Sequence, residues 1–357
     1  MDFEHELDLS SLEHKKVVSN ITDSFASFIN ADLLVLDNNA RLLEQKFLKL
    51  NEGVFVSFDA NTLDYDNSIN SSIDSFALNV GYNFKVNDKV NTYVFVDFLK
   101  AQHKGDAIGI DTVGQTNTVT YANYKNDLNA YSIGLGALYK TSIIDINASL
   151  ISGLLCSDSS HSFVKDEQGQ QFVDDIDFDT DRFFVGTALN VSHEFQLSPF
   201  ASLSPNAFYK IHYVADDTST LNDDNNSNLV VDDSFIQSYG LSLDGMVSLN
   251  DNFSLTSSIC YYLVDNDDGS VKISNYDIDS NEDLLDSLLF NAGASFYKDN
   301  FKLDFNVFLN TLDIEGYGAS LKSLALTRRS SFSTQIELLN SLAFWIKNVA
   351  GRACRPT

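Results

Sequence analysis

Proline is nearly missing from this chain of 357 residues, which has only three. A ladder needs the donor that proline lacks, so its scarcity leaves room for many long strands. Cysteine is as rare. Cys156, Cys260 and Cys354 show no CxxC spacing and no paired framework, so neither a zinc site nor a disulfide scaffold is suggested, and all three read as isolated buried thiols. Nothing approaches the roughly eighteen consecutive apolar residues of a helical membrane span, although a β-barrel would pass that test unseen because alternation dilutes its lipid contacts. Positive charge is scarce too: 23 Lys and Arg stand against 50 Asp and Glu, a formal charge of −27. That balance argues against a nucleic-acid partner, whose phosphates call for a basic surface. The opening Met1-Asp2-Phe3-Glu4-His5-Glu6 has neither a basic n-region nor an apolar h-region, so no secretory signal is visible. A barrel bound for an outer membrane must first cross the inner one. The expectation is therefore that the chain is the rear part of something longer.

What the sequence does have is aromatics, 27 Phe and 15 Tyr, set in stretches that alternate with period two. From Ser75 to Val86, residues Phe76, Leu78, Val80, Tyr82, Phe84 and Val86 take one face and Ser75, Ala77, Asn79, Gly81, Asn83 and Lys85 the other. A half-buried sheet would also show one apolar face. The discrimination comes from which face is bulky. Tyr131, Ile133, Leu135, Ala137 and Tyr139 place aromatics at both tips of the apolar side, whereas Ala130, Ser132, Gly134 and Gly136 opposite would hardly fill a dry core. Phe301, Leu303, Phe305, Val307 and Leu309 oppose Lys302, Asp304, Asn306 and Asn310, and Tyr239, Leu241, Leu243 and Val247 oppose Ser238, Gly240, Ser242 and Asp244. A buried Asp is acceptable only on a wet or paired face. The pattern predicts a transmembrane β-barrel with an aromatic girdle and a polar lumen. The alternation in 90–102 and 143–156 is less clean, and their faces are left unassigned.

Twelve strands are expected, at 53–59, 74–86, 90–102, 128–140, 143–156, 182–195, 199–214, 234–248, 252–264, 287–298, 300–311 and 314–324. Most reach the roughly nine to eleven residues that cross a bilayer at a tilt. Tight polar turns are expected at Asn87-Asp88-Lys89, Thr141-Ser142, Gln196-Leu197-Ser198, Asn250-Asp251 and Lys298-Asp299-Asn300. Long loops rich in Asp, Asn and Ser are expected at 60–73, 103–127, 157–181, 215–233 and 265–286, and the last pair joins tightly near Leu312-Asp313. Short turns at one rim and long loops at the other fit an outer-membrane barrel with the short rim in the periplasm, and an even strand count allows closure without edges.

The flanks differ from the barrel. From about Ser19 to Leu50, Phe25, Phe28, Ile29, Leu33, Leu36, Leu42, Leu43, Phe47 and Leu50 recur mostly at three- and four-residue steps, which predicts a helix with Asn20 or Thr22 as cap and Gly53 beyond its end. From Lys322 onward six basic residues face a single acid, Glu337, an abrupt reversal of charge. Ile336, Leu338, Leu339, Leu342, Phe344, Trp345 and Ile346 would suit a short interfacial helix, but a tail foreign to the barrel, for instance from an altered reading frame, is the preferred account. The division is thus a leading segment at 1–19, a helix at 20–50, a barrel at 51–324 and an atypical basic tail at 325–357.

A helix feeding the first of twelve strands resembles the C-terminal translocator domain of the autotransporters of Gram-negative bacteria. Leu36-Asp37-Asn38-Asn39-Ala40-Arg41-Leu42-Leu43 running into Asn51-Glu52-Gly53-Val54-Phe55-Val56 looks like that family's polar helix and Gly-Val-aromatic first strand. Leu197-Ser198-Pro199-Phe200-Ala201-Ser202-Leu203 is similar to its mid-barrel strand opening, and Phe290-Asn291-Ala292-Gly293-Ala294-Ser295-Phe296-Tyr297-Lys298-Asp299-Asn300 to its penultimate hairpin. The resemblance covers roughly 20–324. It implies secretion or surface display of an N-terminal passenger rather than catalysis, with the helix left in the lumen as a plug. The partners so implied are outer-membrane lipids, the barrel-assembly machinery and the chain's own passenger segment, and a monomer with extracellular long loops is expected. Family barrels usually end on a terminal aromatic, whereas Gly318-Ala319-Ser320-Leu321-Lys322 continues into Ser323-Leu324 and the basic tail. With no passenger and no signal in view, the chain by itself is not expected to secrete. Some members cut themselves between adjacent asparagines of the helix, by attack of an Asn side-chain amide on its own backbone carbonyl helped by lumenal acids. Asn38-Asn39 matches that dipeptide; ordinary polar helix residues are the plainer reading. No assisting acid, Asp37 included, is singled out by sequence.

Other chemistry is weaker. Asp175, Asp177, Asp179 and Asp181 lack the glycine and distal Glu of an EF-hand, and Asp265-Asn266-Asp267-Asp268-Gly269 has its glycine one place early, so no metal is expected. Gly134-Leu135-Gly136 lacks the third glycine and following helix of a dinucleotide site, and no cofactor is expected; these glycines read as lumen-facing space. No serine stands in a nucleophile motif near His5, His14, His103, His161, His193 or His212, which disfavours an outer-membrane lipase or protease. The alternatives kept are a free-standing outer-membrane channel with cation preference and a soluble β-sandwich or adhesin.

Overall fold

The computed structural model describes residues 31–39, 52–66, 70–113, 116–167, 170–220, 228–267, 270–273, 276–279, 284–298 and 301–326. Twelve of its strands close into one antiparallel ring: β1 (Gly53–Asp66), β2 (Asn70–Lys85), β3 (Val90–Val113), β4 (Thr116–Lys140), β5 (Asp145–Glu167), β6 (Gln170–Ser192), β8 (Ala201–Val214), β11 (Ser234–Asn250), β12 (Phe253–Asp267), β15 (Leu284–Lys298), β16 (Phe301–Leu312) and β17 (Ile314–Leu326). The seam is made by the first and last of these, paired from Gly53↔Leu326 to Tyr65↔Ile314. β8 pairs with β11 from Val214↔Ser234 to Ala201↔Val247, so no staff of the ring has a free partner side along its membrane-crossing length.

The faces are inverted relative to a soluble sheet. Leu135 is 56% exposed and Leu241 66%, while Asn79 is fully buried and Ser132 nearly so. Side chains facing out are apolar because lipid is their solvent, and the lumen takes the small and polar ones. The unassigned strand over 90–102 resolves as a mixed case: Tyr93, Phe95 and Asp97 point inward, and Val94 and Phe98 lie on the other face. Its inward aromatics fill gaps left by glycines on neighbouring strands. A Cβ on Gly134 would collide with the Phe95 ring, and one on Gly136 with Tyr93, whose hydroxyl donates to Asn147 Oδ1 at 3.0 Å. These glycines therefore seat rings rather than leaving open lumen.

At the short rim, polar side chains close the turns. Asn87 Oδ1 accepts from the amides of Lys89 at 2.8 Å and Val90 at 2.9 Å, and Thr141 Oγ1 accepts from Ile143 and Ile144. One expected turn is corrected: Gln196-Leu197-Ser198 belongs to the short strand β7 (Phe195–Ser198), which pairs with β8, and Pro199-Phe200 makes the turn instead. The reason is that pairing resumes beyond His193-Glu194 in an unchanged register, Ser192↔Asn206 and then Phe195↔Leu203, and runs on through a shift between Gln196 and Ser198.

The expected long loops are also corrected. β3–β4 and β5–β6 continue as paired hairpins through 103–127 and 157–181 up to Val113↔Thr116 and Glu167↔Gln170. Asp, Asn and Ser disfavour strands, but an uninterrupted ladder satisfies the backbone whatever the side chains are. The regions 215–233 and 265–286 contain β9 (Asp217–Thr220), β10 (Asn228–Val231), β13 (Ser270–Ile273) and β14 (Tyr276–Asp279), joined as a four-stranded sheet in the order β14-β13-β10-β9. Leu229, Val231 and Val271 of this sheet are fully buried in the same apolar cluster as the lumenal helix. β16 and β17 join through a single residue, Asp313, with Leu312 at φ 82°, a left-handed conformation that a leucine adopts only under constraint.

Cys260 is buried, whereas Cys156 is in a disulfide, so the reading of isolated thiols fails for Cys156. Among the described residues no helix is long and apolar enough to cross a membrane, which bears on helices alone.

Candidate functional site

The lumen holds a helix over 31–39, all nine residues of which are buried. Of the expected plug helix at 20–50, the remainder lies outside the described residues, as do 1–30 and 327–357. Leu33, Leu34, Val35 and Leu36 give the helix apolar surface all round, as suits a helix enclosed on every side. Two carboxylates interrupt that surface, Asp32 and Asp37. Five residues apart, they are turned about 140° from each other round the axis, and each meets its own wall.

Asp32 pairs with Arg182 of β6, and its two oxygens also accept from Asn126 Nδ2 at 2.9 Å and Ser157 Oγ at 3.2 Å. On the other side, Asp37 Oδ1 accepts from Lys210 Nζ of β8 at 3.0 Å and from Ser238 Oγ of β11 at 2.7 Å. Lys210 also donates to the Asp37 backbone carbonyl at 3.1 Å. Charges removed from water need a partner of opposite sign, and removing one partner leaves the other uncompensated. The two pairs thus fix the helix both around and along the barrel axis.

The direction of the helix follows from its contacts. Asn39 Nδ2 donates to Asp97 Oδ2 at 2.6 Å. Asp97 lies early in β3, near the short-turn rim, while Asn126 faces His103, farther along the same strand. The helix therefore descends from the long-hairpin rim toward the short-turn rim, where Gly53 opens β1 opposite Asn83.

Both asparagines of the expected cleavage dipeptide are buried in the lumen. The acid brought to them is Asp97, which sequence reasoning missed, and not Asp37, which is engaged by Lys210 and Ser238. Arg182 and Lys210 were missed as well. Their only sequence signal is a basic residue at an inward position of a strand.

Below the helix, toward the short-turn rim, Phe55, Tyr93, Phe95 and Leu324 pack into a second buried apolar group. A polar cavity of about 110 Å³ remains beside the β11–β17 wall, lined by Asp244, Ser258, Asn291, Lys302, Asp304 and Lys322 among others. Near the opposite rim, Tyr124 OH stands 2.7 Å from both Ser71 Oγ and His103 Nε2, and its ring stacks on His161. Asp177, Asp179 and Asp181 alternate on the exposed face of β6. Among the described residues no group of three or more His, Cys, Asp or Glu is arranged to hold a metal ion.

No protein-family model matches the sequence, and comparison with curated proteins finds no match. Solved structures do match. The translocator domain of the autotransporter NalP from Neisseria meningitidis superposes with a TM-score of 0.62 at 9% identity, over 86% of this chain and 99% of that one. The beta domain of the Bordetella autotransporter BrkA gives 0.53 at 10% identity, over 78% and 100%. The transport unit of AIDA-I from Escherichia coli gives 0.50 at 12% identity, over 83% and 99%. The chain has the fold of these autotransporter translocator barrels, a closed twelve-stranded transmembrane barrel with a helix in its lumen.

Proposed function

We propose that this chain is an outer-membrane translocator unit, through which a segment attached at its N-terminal side reaches the cell surface. The observation that carries this reading is the lumenal helix, which lies directly ahead of β1 and has its N-terminal end toward the long-hairpin rim. A chain leaving that end points away from the short-turn rim, which in this reading faces the periplasm. The division that goes with it is 1–19 as linker or passenger remnant, 20–50 as plug, 51–324 as barrel and 325–357 as a tail apart from the barrel. The barrel-assembly machinery inserts it, it stands as a monomer among outer-membrane lipids, and the long hairpins face outward.

The test is display. A signal sequence and a protease-sensitive reporter are fused ahead of residue 1 and expressed in a Gram-negative host. Added protease should remove the reporter from intact cells, and deletion of 20–50 should abolish this. A reporter that stays periplasmic beside a folded barrel would refute the reading. The rival, an open cation-selective channel, is disfavoured by the two buried ion pairs that hold the helix across the lumen.

A second proposal concerns the fate of the helix: cleavage between Asn38 and Asn39. The Asn38 side-chain nitrogen would attack its own backbone carbonyl carbon, forming a succinimide and expelling the Asn39 amine, with the proton passing to that amine. Asp97, bonded to the Asn39 amide, supports this by supplying a lumenal carboxylate at the dipeptide. Intact mass of the purified chain decides it: two fragments, lost together in Asn38→Ala, are expected, and a single uncut species would end the idea.

A further inference from the structure

The outward side of β3 and β4 changes character at one step. Phe98 and Tyr131 face each other with ring centroids 5.3 Å apart and form the last aromatic pair of the lipid-facing belt. The next outward positions are Lys100, Gln102 and Lys104 on β3, opposite Asn129, Asp127 and Lys125 on β4. Lys104 and Lys125 are directly paired across the two strands, and both are exposed, as is Lys100. Like charges placed directly opposite weaken a ladder unless something neutralises them.

The acids nearby neutralise this only in part. Asp127 takes Lys125 and a 2.6 Å bond from Gln102, and Asp74 on β2 accepts from Thr62 Oγ1 at 2.7 Å. The acidic side of the ring begins at the next strand, where Asp158 of β5 stands directly opposite Asp127, and continues on β6 with Asp177, Asp179 and Asp181. A chain with a formal charge of −27 thus gathers three lysines on one outward patch immediately above its aromatic girdle. Aromatic girdles sit at headgroup level, so the first groups these ammonium ions meet are lipid headgroups.

We propose that Lys100, Lys104 and Lys125 form a binding surface for the phosphate groups of a phosphorylated glycolipid of the outer leaflet. The inference rests on the outer-membrane reading above. A membrane lipid is the occupant, rather than a soluble protein, because the patch borders the belt and faces sideways into the bilayer. Lysine suits the task as a flexible point charge that accepts phosphate in many orientations.

The barrel is first refolded into micelles and checked by its heat-modifiable migration on a gel. Failure at that step would end the barrel-in-membrane reading itself, and this proposal with it. Binding of bis-phosphorylated lipid A is then compared with that of its dephosphorylated form by native mass spectrometry. Wild type should prefer the phosphorylated lipid by about tenfold or more, and Lys100→Ser/Lys104→Ser/Lys125→Ser should lose that preference. A matched triple variant of the opposite rim, Lys85→Ser/Lys89→Ser/Lys140→Ser, should keep it. Equal binding of the two lipids by wild type would overturn the proposal, as would an unchanged preference in the first variant. Heat-modifiable migration of each variant shows whether it is folded, so a lost preference cannot be mistaken for a lost barrel.

Discussion

Lys210 holds Asp37 twice, through the carboxylate at 3.0 Å and through the backbone carbonyl at 3.1 Å, so a single strand lysine clamps both side chain and main chain of the lumenal helix. Its counterpart Arg182 pairs with the Asp32 carboxylate from the other wall.

Removing one partner of such a pair should therefore loosen the plug more than removing both. Lys210→Met leaves the Asp37 carboxylate buried without its cation, at a cost of about 3–5 kcal/mol. Planar-bilayer recordings should show frequent openings in Lys210→Met and fewer in Lys210→Met/Asp37→Asn. Equal, closed behaviour of all three proteins would show that the helix is retained by packing alone.

The belt gives a second prediction. Leu135 and Leu241 are exposed outward. An arginine at either position should destabilise folding into phospholipid vesicles by about 2–4 kcal/mol if it lies near the bilayer midplane. Denaturant titration of the vesicle-bound protein measures this. A shift below a few tenths of a kcal/mol would be the behaviour of a water-exposed surface.

Ring and glycine should be separable in the lumen. Gly136→Val drives a side chain into the Tyr93 ring, and Tyr93 is buried with its hydroxyl on Asn147. Refolding yield in micelles should fall sharply for Gly136→Val and recover in part for Gly136→Val/Tyr93→Ala. Lack of any recovery would mean that the strand needs glycine for its backbone and not for the ring.

At the long-hairpin rim, pH should act through Asp232. Burial alone would raise its carboxyl, but hydrogen bonds from Lys272 and Ser270 and the charge of Lys272 outweigh that and bring it below the usual carboxylate range. A depressed folded value means stability that is present above the ordinary carboxylate pKa of about 4 and lost as pH falls through the lower folded one. Hydrogen exchange, corrected for its intrinsic rate, should show constant protection of β10 and β13 from pH 7 to pH 5 and a drop below about pH 4. Asp232→Asn should flatten that drop.

The barrel was readable because lipid-facing strands put bulk on one side: the pattern at Phe76, Leu78 and Val80 against Ala77, Asn79 and Gly81 is the burial pattern turned outward. β3 resisted assignment because Tyr93 and Phe95 face in while Val94 and Phe98 face out, and only the glycines of neighbouring strands explain where the inward rings go. The acidic stretches read as loops since intrinsic strand preference is poor there, and pairing partners far along the chain overrode it. The helix anchors were hidden for the same reason. Asp32 meets a residue 150 positions away, and Asp37 one 173 away, a proximity that no local spacing encodes.

The seam between β1 and β17 also sets an order of events. A cylinder whose first and last staves are each other's neighbours stays open until its final stave has been made and delivered. The helix is tethered to the first stave through residues 40–52 and ends up encircled. It must therefore be taken in while the wall is still unrolled, or be threaded through the finished bore from one mouth; the lateral route shuts for good at the moment Gly53 meets Leu326.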